Sequence, residues 1–477
     1  MNVAPSSADT PRATAATAII LAAGEGTRMK SSHAKVVHQV LDRPMVRWVV
    51  DAVRAAGCGR ILVVVGSHAD EVRAALAQEL GVECVEQERR LGTGHAVRVA
   101  VEAAGVTEGP VLVVCGDTPL LRGETLAALV GAAATEPGGA LLTMTYADPT
   151  GYGRVMVGAD GHAARIVEQK DATPAEAACT TCNAGVYCFD AASLRAHIGE
   201  LTQENAQHEF YLTDMVQLLA RAGIPMRAIE CPDADELMGV NSRSQLARAT
   251  RAMQGRINAA LMDAGVTMLD PSQVWVGPDV RVGRDTTLLP LTMLYGSTTV
   301  GSDCVIGPNT RLTDTVVGDR SVLDETVAIG ATVDDDVSCG PRAYLRPGAH
   351  LMDGSKAGTH VEIKNSTIGR GSKVPHLSYI GDTQMGEGVN IGAGSITCNY
   401  DGRDKHRTTI GDGVFVGSDT MMVAPVSIGD GATVGAGSVI TRDVPAGALA
   451  LERSEQRTVP GWLPRWKRDA QKGAPEA

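Results

Sequence analysis

Residues 410–440, IGDGVFVGSDTMMVAPVSIGDGATVGAGSVI, place an apolar side chain at every sixth position: Ile410, Val416, Met422, Ile428, Val434 and Ile440. An amphipathic helix needs spacings of three and four, and a half-buried strand needs alternation, so a period of six fits neither. It fits a left-handed parallel β-helix, in which each hexapeptide forms one face of a triangular coil and its aliphatic residue points inward. Three hexads close one coil, which rises by about 4.8 Å, the spacing between strands. Val276, Val282, Leu288, Leu294, Val300, Ile306 and Leu312 repeat the same pattern upstream. The register is interrupted over Asp334–Val374 and again over Ser395–Thr409. Insertions into a solenoid are expected as loops on one face, and here they would carry His360, Glu362, Lys364, Asn399, Tyr400 and Asp401.

Composition agrees with this reading. The chain holds 54 Gly and only three Phe in 477 residues, as suits tight repeated turns around small aliphatic residues. That length exceeds what one hydrophobic core organises, so at least two domains are expected. Upstream of the solenoid, apolar runs at Ala18–Ala22, Ile61–Val65, Val111–Cys115 and Ala140–Tyr146 read as strands, and Met45–Ala56 and Thr125–Ala134 read as helices. Strand and helix taking turns predict an α/β, Rossmann-like domain with a largely parallel sheet. Residues 243–264 put Leu246, Met253, Ile257 and Leu261 on one helical face and read as a connecting helix. The expected division is a disordered tail over 1–16, the α/β domain over 17–243, a linker helix over 244–264, the β-helix over 265–450 and a tail over 451–477. Trp462 and Trp466 in that last tail are expected to dock on a neighbouring coil or chain.

The net charge of −12 argues against nucleic acid or an anionic membrane as partner, because both attract basic surfaces. No apolar run approaches the length of a membrane span. The ten Cys are scattered, and Cys179-Thr180-Thr181-Cys182 has neither a second pair nor a nearby His. They read as buried thiols in a reducing, cytoplasmic setting, not as zinc ligands.

Ligands of open α/β sheets gather at the carboxyl ends of the strands. Two glycine-bearing turns fall there: Gly24-Glu25-Gly26 after the first strand and Gly116-Asp117 after the third expected one. Arg28 and Lys35 add cations suited to a triphosphate, and Leu91-Gly92-Thr93-Gly94-His95 supplies a second glycine loop. Asp117 is placed for Mg²⁺ on phosphate oxygens. His33, His38 and His95 have no visible carboxylate partner and receive no role. On the solenoid, His376 is the side chain able to act as a base near neutral pH. Tyr379 is expected within hydrogen-bonding reach of it, Asn390 about one coil on, and Lys364 and Arg346 on preceding coils.

Taken together, LAAGEGTRM, Lys35, LGTGHA, Gly116-Asp117, DPTGYGR, IVEQKDA, NAG and GVN resemble the sugar-1-phosphate nucleotidylyltransferases. The GTGHA and GYGR details look most like the bifunctional bacterial enzymes that make UDP-N-acetylglucosamine, and this resemblance covers nearly the whole chain. Cys115 stands in place of the Tyr expected before Gly-Asp, and Ala34 in place of the Pro expected before Lys35.

The resemblance implies that Leu21, Ala22, Gly24, Gly26, Gln87, Gly92, Thr93, Cys115 and Gly116 surround the nucleotide. Arg28 and Lys35 would neutralise the triphosphate. Gly153, Glu168 and Asn183 would hold the sugar, and Asp117 with Asn241 would hold Mg²⁺. In the second half it implies His376 as general base for acetyl transfer from acetyl-CoA to glucosamine 1-phosphate. Arg346, Lys364, Tyr379 and Asn390 would bind that sugar phosphate. Ala393, Asn399, Tyr400, Ser418, Ala436 and Arg453 would line the acetyl-CoA path. It also implies a homotrimer, uridylyl transfer from UTP to N-acetylglucosamine 1-phosphate, and a product feeding peptidoglycan and lipopolysaccharide synthesis. Two alternatives stand beside this reading. One is a single-activity nucleotidylyltransferase with a purely structural solenoid, and the other is a non-enzymatic effector-binding scaffold.

Overall fold

A computed structural model describes residues 16–472, with the side chains of 469–472 left out, so the tail expected over 1–16 lies almost wholly outside the described residues. The chain forms two compact units. The first comprises residues up to Ala259 together with Val276–Pro278, and the second comprises the rest. The helix Arg243–Asp263 belongs to the first unit as far as Ala259.

In the first unit, eleven strands follow in chain order: β1 Thr17–Leu21, β2 Gln39–Val40, β3 Arg43–Pro44, β4 Arg60–Val65, β5 Val82–Glu86, β6 Pro110–Cys115, β7 Gly139–Thr145, β8 Arg154–Val157, β9 His162–Val167, β10 Thr181–Asp190 and β11 Met226–Glu230. Nine of them form one sheet in the order β5-β4-β1-β6-β10-β7-β11-β9-β8. The β5-β4-β1-β6 half is parallel, as expected. The other half is not: β10 runs antiparallel to both β6 and β7. It arrives from the antiparallel β8–β9 ribbon through one short helix, Pro174–Ala177. Without a long crossover helix to restore the direction, the strand enters the sheet reversed.

The parallel strands are buried on both faces and so read as unbroken apolar runs. In β1, Ala18, Ile19 and Ile20 are fully buried, as are Leu62, Val63, Val64 and Val65 in β4. The helix Met45–Ala55 packs Val46, Val49, Val50 and Val53 into the core on one side of the sheet. The helix Thr93–Ala103 buries Val97, Ala100 and Val101 on the other. Because β4 lies on one side of β1 and β6 on the other, the chain changes direction at their carboxyl ends, where a crevice opens.

The second unit is the β-helix. Three parallel sheets of eleven, ten and nine short strands make its faces. Leu288, Leu294, Ile306 and Leu312 are fully buried, and of the hexad residues named above only Val282 is merely half-buried. Leu288 pairs with Ile306 and Leu294 with Leu312, a step of 18.

The interruption expected over Asp334–Val374 is not a loop. Steps of 18, such as Cys339 beside Ala357 and Leu345 beside Ile363, are interspersed with steps of 16 or 17: Leu323 stands beside Cys339, Ile363 beside Ile380 and Ala357 beside Val374. Removing a residue at a corner keeps every coil closed while spoiling the period of six. His360, Glu362 and Lys364 therefore sit on the coils. The second interruption is a true insertion. Thr397 pairs with Met422 and Thr383 with Thr408, steps of 25, and the extra residues form a hairpin-like loop closed by a Tyr400–Lys405 bridge.

Corner polar groups hold successive coils together. Asp319 accepts from the Ser302 N–H at 2.8 Å, Asp335 from Asp319 at 2.8 Å and Asp430 from Asp412 at 2.9 Å. Buried hydroxyls do the same inside: Thr286 donates to the Gly301 carbonyl at 2.7 Å and accepts from the Cys304 N–H. Trp462 and Trp466 are exposed within the chain, so neither docks on its own coils.

Candidate functional sites

The crevice at the ends of β1 and β6 is a cavity of about 580 Å³, within the range of small-molecule sites. Leu21, Ala22, Gly24, Gly26, Lys35, Gln87, Gly92, Thr93, Cys115 and Asp117 line it. Two glycines are dictated by geometry. Gly26 has φ +61, and a Cβ there would lie 2.6 Å from Lys35 Cβ. Gly92 has φ +111, and its Cβ would lie 2.5 Å from the Phe210 carbonyl oxygen. Any side chain at either position would push the loop off its neighbours. Gly116, beside the lining, donates its N–H to the Leu21 carbonyl at 2.9 Å and so ties the two strand ends together.

At the cavity floor the Lys35 ammonium is ion-paired with Asp117 and donates to Asn241 Oδ1 at 2.9 Å. A carboxylate and an amide oxygen facing one point are hard donors of the kind Mg²⁺ takes. Among the described residues no cluster of three or more His, Cys, Asp or Glu could hold a metal. Two protein ligands, with phosphates completing the shell, is the arrangement usual for Mg²⁺.

Gln87 is buried, and its amide donates to the Gly92 carbonyl at 3.2 Å and meets His95 Nδ1 at 2.9 Å. The imidazole given no role in the sequence thus braces Gln87. Thr93 accepts from the Leu212 N–H at 3.1 Å. Arg28 is exposed and does not line the cavity. Arg90 does line it and pairs with Glu25 at 2.5 Å across the rim. Sequence reasoning missed this second cation, although it directly precedes the Leu91-Gly92-Thr93-Gly94 loop.

The expected sugar residues converge beside this cavity. Asn183 donates its N–H to the Gly153 carbonyl at 2.8 Å. A Cβ on Gly153 would lie 3.5 Å from both Asn183 Cβ and Glu168 Oε1. Burial raises the Glu168 carboxyl, with the hydroxyl of buried Thr213, 3.3 Å away, partly opposing it. Buried Tyr211 lies two residues before Thr213, the other residue of this group that the sequence did not reveal.

On the solenoid, His376 ends the strand Lys373–His376 and is exposed. The turn at Leu377, φ +50, leads into the next face, Tyr379–Gly381. Its expected partners divide. Tyr379 does not hydrogen-bond to His376; its hydroxyl lies 3.4 Å from Asn399 Nδ2, toward the far end of that face. Asn390 pairs with Lys373, one coil of 17 residues away, so it is displaced from His376 by three positions along the strand.

The residue stacked on His376 belongs to the Ala393–Gly394 turn, where Gly394 N–H donates to the His376 carbonyl at 3.3 Å. From there a column climbs one corner: Asp419 N–H to Ala393, Gly437 N–H to Ser418, and Arg453 Nη1 to the Ala436 carbonyl at 2.9 Å. Four of the residues assigned to the acetyl-CoA path thus stand in one line above the imidazole.

The cations gather at the opposite end of the Tyr379–Gly381 face. Lys364 Nζ lies 3.1 Å from Asp382 Oδ1, Asn365 donates to the same oxygen at 2.6 Å, and Asn399 donates to Oδ2. Arg346 Nη1 bonds Glu362 at 2.9 Å. Lys405 arrives from the inserted loop, and its ammonium is pushed down by Lys364 beside it. Asn399 is buried in this group, while Tyr400 is exposed and donates to the Gly402 carbonyl at 2.7 Å. Asp382 and Lys405 were not expected. Asp382 lies 18 residues after Lys364 and 17 before Asn399, a spacing that means something only once the coil length is known.

Residues 18–217 match the MobA-like NTP transferase domain, and residues 407–442 match the bacterial transferase hexapeptide (six repeats). A Bifunctional protein GlmU from Trichlorobacter lovleyi is 47% identical over 447 residues, spanning 93% of this chain and 97% of its own length. One from Carboxydothermus hydrogenoformans is 49% identical, spanning 92% of this chain and 98% of its own, and one from Streptomyces coelicolor is 48% identical, spanning 94% of each.

The chain belongs to the GlmU family.

It is accordingly a bifunctional enzyme of UDP-N-acetylglucosamine synthesis, with uridylyltransferase and acetyltransferase activities. Both departures from the GlmU-like motifs have a local account. Ala34 has the backbone N–H that Pro lacks, and donates it to Glu71 Oε2 at 2.9 Å. Burial pushes the Cys115 thiol up to about 12, and its sulfur faces Gly185. It forms part of the cavity wall.

Proposed function

We propose that each unit houses one complete reaction and that the residues act as follows. In the first unit UTP enters the cavity with its uracil against Gln87 and the Gly92–Thr93 turn and its phosphates over the Gly24–Gly26 loop. Lys35 exchanges its contacts with Asp117 and Asn241 for the triphosphate. Asp117 and Asn241 would hold Mg²⁺, which supplies charge neutralisation at the reacting phosphates. Gly153, Glu168 and Asn183 orient N-acetylglucosamine 1-phosphate so that its phosphate oxygen attacks the α-phosphorus in line and pyrophosphate leaves. Positioning and electrostatics carry such a step without a covalent intermediate. Arg90 serves the phosphates at the rim, where Arg28 was expected.

In the second unit His376 takes the proton of the glucosamine 1-phosphate amine as the nitrogen attacks the thioester carbon of acetyl-CoA, and the CoA thiol departs. The column from Ala393 through Ser418 and Ala436 to Arg453 accommodates acetyl-CoA. Arg346, Lys364, Tyr379 and Lys405 hold a sugar phosphate. The base and these cations occupy opposite ends of one face of a single chain, which supports a homotrimer in which neighbouring prisms complete each cleft. Use of UTP and acetyl-CoA supports a cytoplasmic location, and the product would feed the cell envelope.

The observation that carries this reading is the convergence of Lys35, Asp117 and Asn241 in the cavity, where the short helix Lys35–Val37, the end of β6 and the segment before the helix Arg243–Asp263 meet at one ammonium. Paired variants of the full chain test it. Asp117→Ala should stop pyrophosphate release from UTP while CoA thiol release continues, and His376→Ala should do the reverse. Loss of both activities in either folded variant would overturn it, and so would full acetyl transfer by His376→Ala.

A further inference from the structure

Among the described residues Arg154 is the largest fully buried side chain, at 2% exposure, and it makes no ion pair. Burying a guanidinium with no carboxylate in contact is costly, and it is tolerated when acceptors hydrogen-bond the group. Here three acceptors do that. Nη1 donates to the Tyr152 carbonyl, Nη2 to Gln169 Oε1 at 2.8 Å, and Nε to the Ala177 carbonyl at 3.3 Å.

These acceptors are not scattered. Tyr152 directly precedes Gly153, and Gln169 directly follows Glu168. The same Gln169 oxygen also accepts the Gly151 N–H at 3.2 Å. Arg154 pairs across the sheet with Cys182, next to Asn183, and Asn183 in turn bonds the Gly153 carbonyl. Tyr152 is held from its other side by the Tyr146 ring, 5.2 Å between centroids. The guanidinium thereby fastens the segment that presents Gly153 to the one that presents Glu168 and to the Pro174–Ala177 helix leading toward Asn183, while backbone pairing joins Asn183 itself.

We propose that Arg154, with Gln169 as its relay, is a positioning residue that sets the width of the sugar subsite and so governs binding of the acetamido sugar phosphate in uridylyl transfer. This rests on the assignment of Gly153, Glu168 and Asn183 to the sugar in the preceding subsection. A guanidinium spans all three acceptors because its donors are fixed in a planar fork; an ammonium meets one or two of them.

The test is steady-state kinetics of full-length Arg154→Lys, Gln169→Leu and Gln169→Glu, with the thermal unfolding transition of the first unit, followed on the same preparations, as the measure of folding. Arg154→Lys and Gln169→Leu should raise KM for N-acetylglucosamine 1-phosphate about tenfold or more, the factor expected for losing a charge-assisted hydrogen bond, with KM for UTP unchanged. Gln169→Glu keeps an acceptor for the guanidinium and should stay close to the parent. A role confined to folding would instead lower kcat for both substrates together and be indifferent to the Leu-versus-Glu difference, and that result overturns the proposal. So does an unchanged sugar KM in a Gln169→Leu variant whose first unit is folded. If the parent chain itself fails to couple UTP to N-acetylglucosamine 1-phosphate, the functional assignment fails first, and the two failures are told apart by that control.

Discussion

Replacing Asp382 by Asn isolates one charge at the centre of the solenoid's cation group. The position has φ +51, a conformation Asn tolerates at least as readily as Asp, so the backbone adds no cost to the substitution. In the native chain the two carboxylate oxygens accept from Lys364, Asn365 and Asn399, and the side chain is 12% exposed. An amide can satisfy donors on one side only; its NH₂ would face another donor.

The loss is therefore at least one charge-assisted bond, about 1.5–3 kcal/mol. For a unit of roughly 200 residues that corresponds to about 3–12 °C in Tm. Differential scanning calorimetry at pH 7 reads this directly on the transition that contains the solenoid. The pH dependence gives an independent check. Burial alone would raise the Asp382 carboxyl, but hydrogen bonds from Asn365, Lys364 and Asn399 outweigh it and hold the group below the usual range. Its stabilisation is thus complete above the unfolded value, about 3.9, and disappears as pH falls through the lower folded value. The gap between parent and variant should be full at pH 7 and should narrow at the most acidic pH at which the fold survives. A gap that is absent at pH 7, or that widens on acidification, would refute the reasoning.

Four further outcomes are expected. Gly92→Ala forces a Cβ against the Phe210 carbonyl at a φ of +111; it should cost about 1–3 kcal/mol and weaken UTP binding by calorimetry, with acetyl transfer intact. Ile363→Ala opens a cavity in a fully buried coil and should cost about 2–5 kcal/mol, seen as early solenoid melting while pyrophosphate release persists at temperatures below that melt. Asp319→Ala removes the acceptor for the Ser302 N–H and should lower stability by about 1 kcal/mol, the worth of a comparable cap. Chelation of Mg²⁺ with EDTA should stop pyrophosphate release and leave CoA thiol release unchanged; inhibition of both would place a metal in the second reaction as well.

The architecture was legible where a repeat length carried it. Leu288 through Leu312 and Ile410 through Ile440 are buried as their period demands. The stretch from Asp334 to Val374 was misread because dropping one residue at a corner erases the period without disturbing the coil. The same ignorance of coil length placed Asn390 over His376, when the register sets it over Lys373, and concealed Asp382 between Lys364 and Asn399. In the first unit the turns after β1 and β6 could be located because apolar runs end there. The reversal of β10 could not, since a strand's direction depends on the connection that precedes it. Arg154 was invisible for another reason: an arginine in sequence looks solvent-bound, and only packing reveals one sealed under three acceptors.

The residues between Asn399 and Thr408 leave and rejoin the prism without disturbing it, since Thr408, Thr409 and Ile410 resume pairing with Thr383, Gln384 and Met385 on the coil beneath. A stack that closes beneath a detour is indifferent to the detour's length and composition. The excursion that brings Lys405 to the cations could thus be redrawn by mutation without renegotiating the core, giving the acetylating half a place to vary what it grips while its scaffold stays fixed.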